Sequence, residues 1–185
     1  MNKFSVKNSL IFLVVINLLG LIFATTFSGK KLDDIHQTSS YVSNKAVPSI
    51  INLSEANLFF HKLRINVQRH ILADSEEEKA KIGEAIQDRK AKVHEFLSKY
   101  ETLISDQKDR DFLNAENSSL NQYYQQLDIV IALSNQKNIK SKSELATADK
   151  IALDLTKVFQ DHMDYNKSLG SQAVENANTS KEDAM

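Results

Sequence analysis

The sequence has 185 residues, enough for one domain and an anchor but not for two independent folds. Its 23 lysines and arginines nearly balance its 24 aspartates and glutamates, and the resulting net charge of -1 argues against a nucleic-acid-binding protein. The absence of cysteine excludes a disulfide framework, a thiolate metal site, thiol catalysis and c-type haem attachment. With four glycines and one proline, the composition favours long helices over sheets.

An uncharged, apolar run extends from Asn8 to Gly29. About twenty apolar residues in a helix span the hydrocarbon core of a bilayer, so we expect a transmembrane helix at 8–29. Lys3 and Lys7 precede the run, which favours a short cytoplasmic N-terminus at residues 1–7. The alternative is a cleaved secretory signal, although the run is longer than a usual signal core. Either interpretation places the remaining residues outside the cytoplasmic membrane.

Beyond Gly29 the apolar positions recur every three and four residues, a spacing typical of helices packed side by side. We predict four helices, at about 30–73, 75–104, 107–135 and 143–185. Pro48 should bend the first helix rather than end it, because the apolar register continues past it. The predicted fold class is all-α: an antiparallel up-down four-helix bundle at residues 30–185, preceded by a transmembrane helix continuous with helix one.

The first and fourth predicted helices are the long ones, each on the order of 65 Å by helix rise. Helix one is therefore expected to leave the membrane and helix four to return to it. Because the fourth helix is still running at Met185, we interpret residues 30–185 as a periplasmic sensor domain that stops before a second transmembrane helix.

Enzyme and cofactor sites are not predicted. No Glu-x-x-His pair of the kind used by di-iron bundles is present, and neither a phosphate-binding glycine loop nor a nucleophile elbow occurs. The histidines lack ligand spacing and are expected at helix surfaces or edges rather than on a metal; they are His36, His61, His70, His94 and His162. We expect no enzyme, no metal site and no cofactor.

The segment R-I-N-V-Q-R-H places Arg64 at an apolar seam position of helix one. A desolvated guanidinium there is costly unless an anion pairs with it. Arg69 lies about 140° around the helix from Arg64, so one bundle could hardly clamp a ligand with both. In a two-fold dimer, however, Arg64 of one subunit could approach the partner's Arg69. The alternative is that Arg64 pairs with a carboxylate of its own bundle and Arg69 is exposed.

Tyr123 and Tyr124 are adjacent on the third predicted helix and cannot face the same way. One is expected in the core and the other at an edge or pocket, with its hydroxyl at a polar rim. Core packing is the simpler interpretation of the pair, and a contribution to a pocket within one bundle is the other.

The chain resembles the N-terminal half of a methyl-accepting chemotaxis receptor over essentially its whole length. The resemblance is carried by the apolar run, the long bundle, and the segments I-H-Q-T from Ile35, V-P-S-I from Val47 and R-H-I-L-A-D-S from Arg69. R-I-N-V-Q-R also resembles the first-helix arginine motif of the aspartate and serine receptors, in which arginines from two subunits grip ligand carboxylates. Those receptors carry a further arginine where this chain has Ala73, which argues against aspartate or serine as the ligand. The alternatives are a different small carboxylate and a pocket within one bundle near Tyr123 and Tyr124.

The resemblance implies a sensor in the bacterial inner membrane, with its bundle in the periplasm. It implies a homodimer through helix one, and a small ligand, an organic acid or amino acid, whose binding shifts helix four. The candidate ligand-binding residues are Arg64, Arg69, Tyr123, Tyr124 and, in the segment K-S-K-S-E-L-A-T that opens helix four, Thr147. Downstream signalling partners would depend on sequence beyond Met185. The rival functions are the sensor domain of a histidine kinase or cyclase, and an anchored bundle that binds protein partners.

Overall fold

The structure, a computed structural model, describes the backbone of residues 6–182 and most of their side chains. Its elements are α1 (Val6–Tyr41), a π-helical turn (Val42–Ala46), α2 (Val47–Leu72), α3 (Glu76–Glu101), α4 (Gln107–Asn135) and α5 (Lys140–Glu182). Within that range there is no strand, so the predicted all-α class is confirmed, and the arrangement agrees with a four-helix bundle. Residues 1–5 of the predicted cytoplasmic N-terminus and residues 183–185 of the predicted fourth helix lie outside the described residues.

The first helical stretch runs from Val6 to Leu72 without a break, because the π turn joins α1 to α2. The turn ends two residues before Pro48, which lacks the N–H that a regular helix would use. The Val47 N–H reaches back five residues to the Val42 carbonyl, and this wider turn accommodates the proline. Pro48 therefore deforms the helix without ending it, as expected.

Polar side chains define the corners of the bundle. The Ser75 hydroxyl accepts the Glu78 N–H at the start of α3, and the Asp106 carboxylate accepts the Asp109 N–H at the start of α4. At the end of α4, Lys137 adopts a left-handed φ of 54°, and the Asn138 N–H donates to the Leu133 carbonyl. The Asn138 side chain accepts the Lys140 N–H, so α5 begins three residues before the expected Ser143.

The bundle buries one stripe of side chains from each of α2 to α5. α2 packs mainly against α3 and α5, α4 packs against α5, and α1 lies along α5. The fully buried apolar side chains recur at intervals of three and four residues on α2, at Leu53, Ala56, Phe60, Leu63 and Val67. At mid-height the rings of Tyr123 and Phe60 meet in a T-shaped arrangement, with ring centres 5.0 Å apart, and Phe159 of α5 packs beside Phe60. The core is thus a continuous heptad seam.

Gly170 allows α5 to approach the π turn closely. A Cβ on Gly170 would lie 3.3 Å from the Ala46 Cβ, closer than most such contacts. The glycine that interrupts α5 in sequence therefore has a packing reason.

The predicted transmembrane helix at 8–29 is not confirmed. This segment is helical within α1, but among the residues that the structure describes no helix is both long enough and apolar enough to cross a membrane.

The seam predicts a large difference between two leucine truncations. Leu127 of α4 is fully buried, whereas Leu153 of α5 is 63% exposed. We expect Leu127→Ala to lower the free energy of unfolding by about 2–5 kcal/mol, because it leaves a core cavity. Leu153→Ala should change it by less than about 0.5 kcal/mol. Urea unfolding followed by circular dichroism measures both, and equal losses would contradict the assigned core.

Candidate functional site

Arg64 lies on the side of α2 that faces α5. Its Nη2 donates to Asp149 Oδ1 at 3.0 Å, and the two side chains are only 20% and 34% exposed. The Arg64 Nε is buried and has no hydrogen-bond partner. This ion pair connects α2 to the third turn of α5, and the Nε–H of the guanidinium can still donate a hydrogen bond.

Tyr123 belongs to the same part of the bundle. Burial raises the pKa of its hydroxyl, and the nearby charges of Arg64 and Asp149 act on that pKa in opposite directions. The ring is held against Phe60, which lies four residues before Arg64 on α2. Tyr123 is therefore a core side chain at the border of the Arg64–Asp149 pair.

The other candidates lie elsewhere. Tyr124 is half-buried with its ring 5.0 Å from the Lys90 ammonium of α3, and its hydroxyl is buried without a hydrogen-bond partner. Arg69 is exposed in the last turn of α2. Thr147 is exposed, and its hydroxyl reaches only the Ser143 carbonyl, at 3.5 Å. The two tyrosines face different ways, as expected.

Within a single chain, Arg64 thus lies near Tyr123 and forms an ion pair with Asp149, a residue that the sequence did not single out. Among the described residues, no contact joins Arg69 or Thr147 to this group. The arrangement matches the interpretation in which Arg64 pairs within its own bundle and Arg69 is exposed. A pocket shared between two subunits stays a prediction.

A second polar group lies inside the other end of the bundle, around His162 of α5. His162 Nε2 is 2.8 Å from Asp109 Oδ1, and His162 Nδ1 is 2.9 Å from Glu116 Oε1. All three side chains are completely buried. The Tyr100 hydroxyl also donates to Asp109, and the Asn166 amide donates to the Tyr100 oxygen at 2.8 Å. The result is a histidine held between two carboxylates in the core.

The expectation that the histidines lie at helix surfaces or edges is wrong for His162 and for His70. His162 occupies a seam position of α5, and His70 is buried on α2 with its Nδ1 3.0 Å from the Ser134 hydroxyl. Both rings are accommodated because polar partners on other helices contact both nitrogens of His162 and Nδ1 of His70. Over the described residues, no group of histidines and carboxylates has an arrangement that could hold a metal ion.

Burial and pairing act against each other on the pKa values of this group. Burial alone would lower the pKa of His162, but hydrogen bonds and charge from Asp109 and Glu116 raise it above 6.5. Burial would raise the pKa of Asp109, but hydrogen bonds from His162, Tyr100 and the Ser105 N–H lower it to about 2. Burial raises the pKa of Glu116. Asp109 and Glu116 thus favour the protonated form of His162.

The raised pKa of His162 predicts a pH-dependent stability. The folded protein binds this proton more tightly than the unfolded chain, so the stabilisation is complete below pH 6.5 and is lost as the pH rises through the folded pKa. We expect the free energy of unfolding to fall as the pH rises above 6.5, and His162→Gln to flatten that slope. His36→Gln, at an exposed histidine, is the matched control.

Urea unfolding at several pH values measures these slopes. His61 and His70 have lowered pKa values, so their stabilisation is complete above pH 6.5 and cannot produce the predicted decline. Equal slopes in the wild type and in His162→Gln would contradict the assignment.

Comparison with known proteins adds one positive finding. A family model described as a four helix bundle sensory module for signal transduction matches residues 3–181. No curated protein and no solved structure matches the chain. The match covers nearly the whole sequence, and it agrees with the all-helical architecture described above. The chain therefore belongs to the family of four-helix-bundle sensory modules of methyl-accepting chemotaxis signal transducers.

Proposed function

We propose that this sensory module binds a small carboxylate, an organic acid or amino acid, at Arg64. The observation that carries the proposal is the Arg64–Asp149 pair, a partly desolvated guanidinium at the interface of α2 and α5 with its Nε unpaired. An arginine fork binds a carboxylate through two parallel hydrogen bonds, which are among the stronger polar contacts. A ligand carboxylate could accept two hydrogen bonds from the Arg64 guanidinium, whereas Asp149 accepts one through a single oxygen.

Competition between the ligand and Asp149 gives the binding event a mechanical consequence. Asp149 ties the third turn of α5 to α2. A carboxylate that takes over the guanidinium frees Asp149, and α5 then loses one of its fixed points on α2. A ligand shifts such an equilibrium only by its differential affinity for the two positions of the helix. The proposed output is therefore a small displacement of α5 relative to α2.

The membrane anchor is part of the proposal and rests on the apolar run from Asn8 to Gly29. The described apolar side chains from Phe12 to Phe23 are exposed on all sides of α1. A helix that is apolar all round is stable where it is buried or embedded in lipid. We place this segment in the inner membrane of a bacterium and the bundle in the periplasm. A membrane histidine kinase or cyclase could carry the same sensory module as a chemoreceptor. The three classes of receptor differ in their output domain.

A homodimer through α2 is supported by a second heptad stripe on this helix. Ile51, Leu58, Ile65 and Leu72 are spaced by seven residues, opposite the core, and are 43–72% exposed. The stripe can pack against itself about a two-fold axis, because each protomer presents the same surface. Arg69 lies on this face, four residues after Ile65. Dimerisation would therefore bring the partner's Arg69 to the side of α2 that neighbours Arg64.

The competition model predicts opposite effects of two substitutions on carboxylate binding. Arg64→Ala should weaken binding tenfold or more, because the fork is lost. Asp149→Asn should strengthen binding, because the amide competes less well than the carboxylate for the guanidinium. A thermal-shift screen of the full chain against organic acids and amino acids supplies the ligand, since specific binding raises the melting temperature. Calorimetry then measures each affinity.

Arg110→Ala is the control for this experiment, because Arg110 is an exposed arginine in the first turn of α4. Arg69→Ala separates the two forms of the site: it weakens binding only if the pocket spans two subunits. Unchanged affinity in Arg64→Ala, or a loss in Asp149→Asn equal to that in Arg64→Ala, would contradict the model.

The dimer proposal predicts that charges in the exposed stripe separate the protomers. Leu58→Lys combined with Ile65→Lys should increase the dimer dissociation constant at least tenfold, because two lysines from each protomer would meet at the axis. Sedimentation velocity of the full chain in detergent micelles measures this constant. Leu153→Lys, at an exposed leucine of α5, should leave it unchanged. A wild-type chain that stays monomeric at all concentrations would refute the dimer.

A further inference from the structure

A cavity of about 240 Å³ opens at the end of the bundle where α2 ends, α3 begins and the α4–α5 loop turns. We call this the tip cavity. Three of its lining side chains are lysines, Lys79, Lys137 and Lys142, and one, Asp74, is acidic. The glutamates in the first turn of α3 do not line it. Its charge therefore favours an anion.

Lys79 is the most unusual of these side chains, because it is only 4% exposed. Its ammonium donates to the Ser134 carbonyl of α4, and among the described residues no carboxylate pairs with it. An ammonium has three N–H donors, so two remain after this bond. A buried charge without a counterion is costly, and an anion in the tip cavity would offset that cost.

A second observation at the same place points to a ligand. Ser141 of α5 is 5% exposed and lines the cavity, and its hydroxyl has no hydrogen-bond partner among the described residues. The first turn of α5 carries no acidic residue and instead carries Lys140 and Lys142. Lysines at a helix N-terminus oppose the helix dipole, so the α5 terminus is also short of negative charge.

We propose that the tip cavity binds a phosphate group through Lys79, Lys137, Lys142 and the Ser141 hydroxyl. Lysine ammonium groups act as point charges that can approach a tetrahedral oxyanion from several sides, and lysine is a common phosphate ligand in proteins. The cavity is smaller than the roughly 300–1,000 Å³ of sites for drug-sized ligands, so it suits a compact oxyanion. This site lies beyond the Arg64 site and does not depend on it.

The proposed anion would join two corners of the bundle. Lys79 belongs to α3, Lys137 to the α4–α5 loop, and Lys142 with Ser141 to the first turn of α5. An occupant held by all of them fixes the start of α5 against the start of α3. Phosphate binding should therefore stabilise the tip even when the Arg64 site is empty.

Isothermal titration of the full chain in detergent micelles with inorganic phosphate, at pH 7.5 and constant ionic strength, tests the proposal. We expect saturable binding, and a dissociation constant at least tenfold higher in Lys137→Gly combined with Lys142→Gln. Glycine is favoured at the left-handed φ of Lys137, so this variant removes two charges without straining the fold. Lys157→Gln, at an exposed lysine farther along α5, is the matched control and should bind like the wild type.

Two further measurements make the outcome decisive. Ser141→Ala should weaken phosphate binding, and Arg110→Ala should leave it unchanged because that exposed residue is outside the tip cavity. Glycerol phosphate in place of inorganic phosphate distinguishes a phosphomonoester from the free anion, and saturable binding of either one supports the site. Absence of saturable binding of both to the wild type, or undiminished binding in the double-lysine variant, overturns the proposal.

Discussion

The constraint on which this molecule depends is the continuous burial of one heptad stripe on each of four long helices. Side chains at intervals of three and four residues meet across the bundle and form one hydrophobic cluster that joins α2 to α5. The corners are short and are fixed by Ser75, Asp106 and Asn138. Because each helix must keep its register along its whole length, a polar residue at a stripe position has to find its partner inside the bundle.

Two polar groups meet that requirement in different ways. His162, Asp109 and Glu116 form a charged group in the core, in which each ring nitrogen meets a carboxylate oxygen. At the other end, the Lys79 ammonium donates to the Ser134 carbonyl, and no carboxylate of the described residues pairs with it. Breaking a buried charge pair costs more than a surface pair contributes, so the first group restricts the bundle to one register. The second leaves a positive charge that a ligand can satisfy.

The fold could be predicted from the sequence because the three-and-four spacing of apolar residues is a local signal. Each of the four helices shows that spacing by itself. The polar seam residues were harder to place. Extending the three-and-four spacing of α5 beyond Phe159 reaches both His162 and Met163, and apolar spacing alone favours the methionine although the histidine is the more deeply buried of the two. The pairing of Arg64 with Asp149 could not be predicted, because residues 85 positions apart are related only by how α2 packs against α5. The tip cavity likewise arises where two corners converge.

α5 is the element through which these sites can influence one another. It carries Ser141 and Lys142 at the tip, Asp149 opposite Arg64, and His162 in the buried charged group. A helix transmits displacement along its axis because its backbone hydrogen bonds keep the rise per residue fixed. If a carboxylate at Arg64 and a phosphate at the tip favour different positions of α5, each must weaken the other's binding by the same factor. Buried seams have discrete packing arrangements rather than continuous ones, so α5 would change position in a step, and the protonation of His162 would bias the same step.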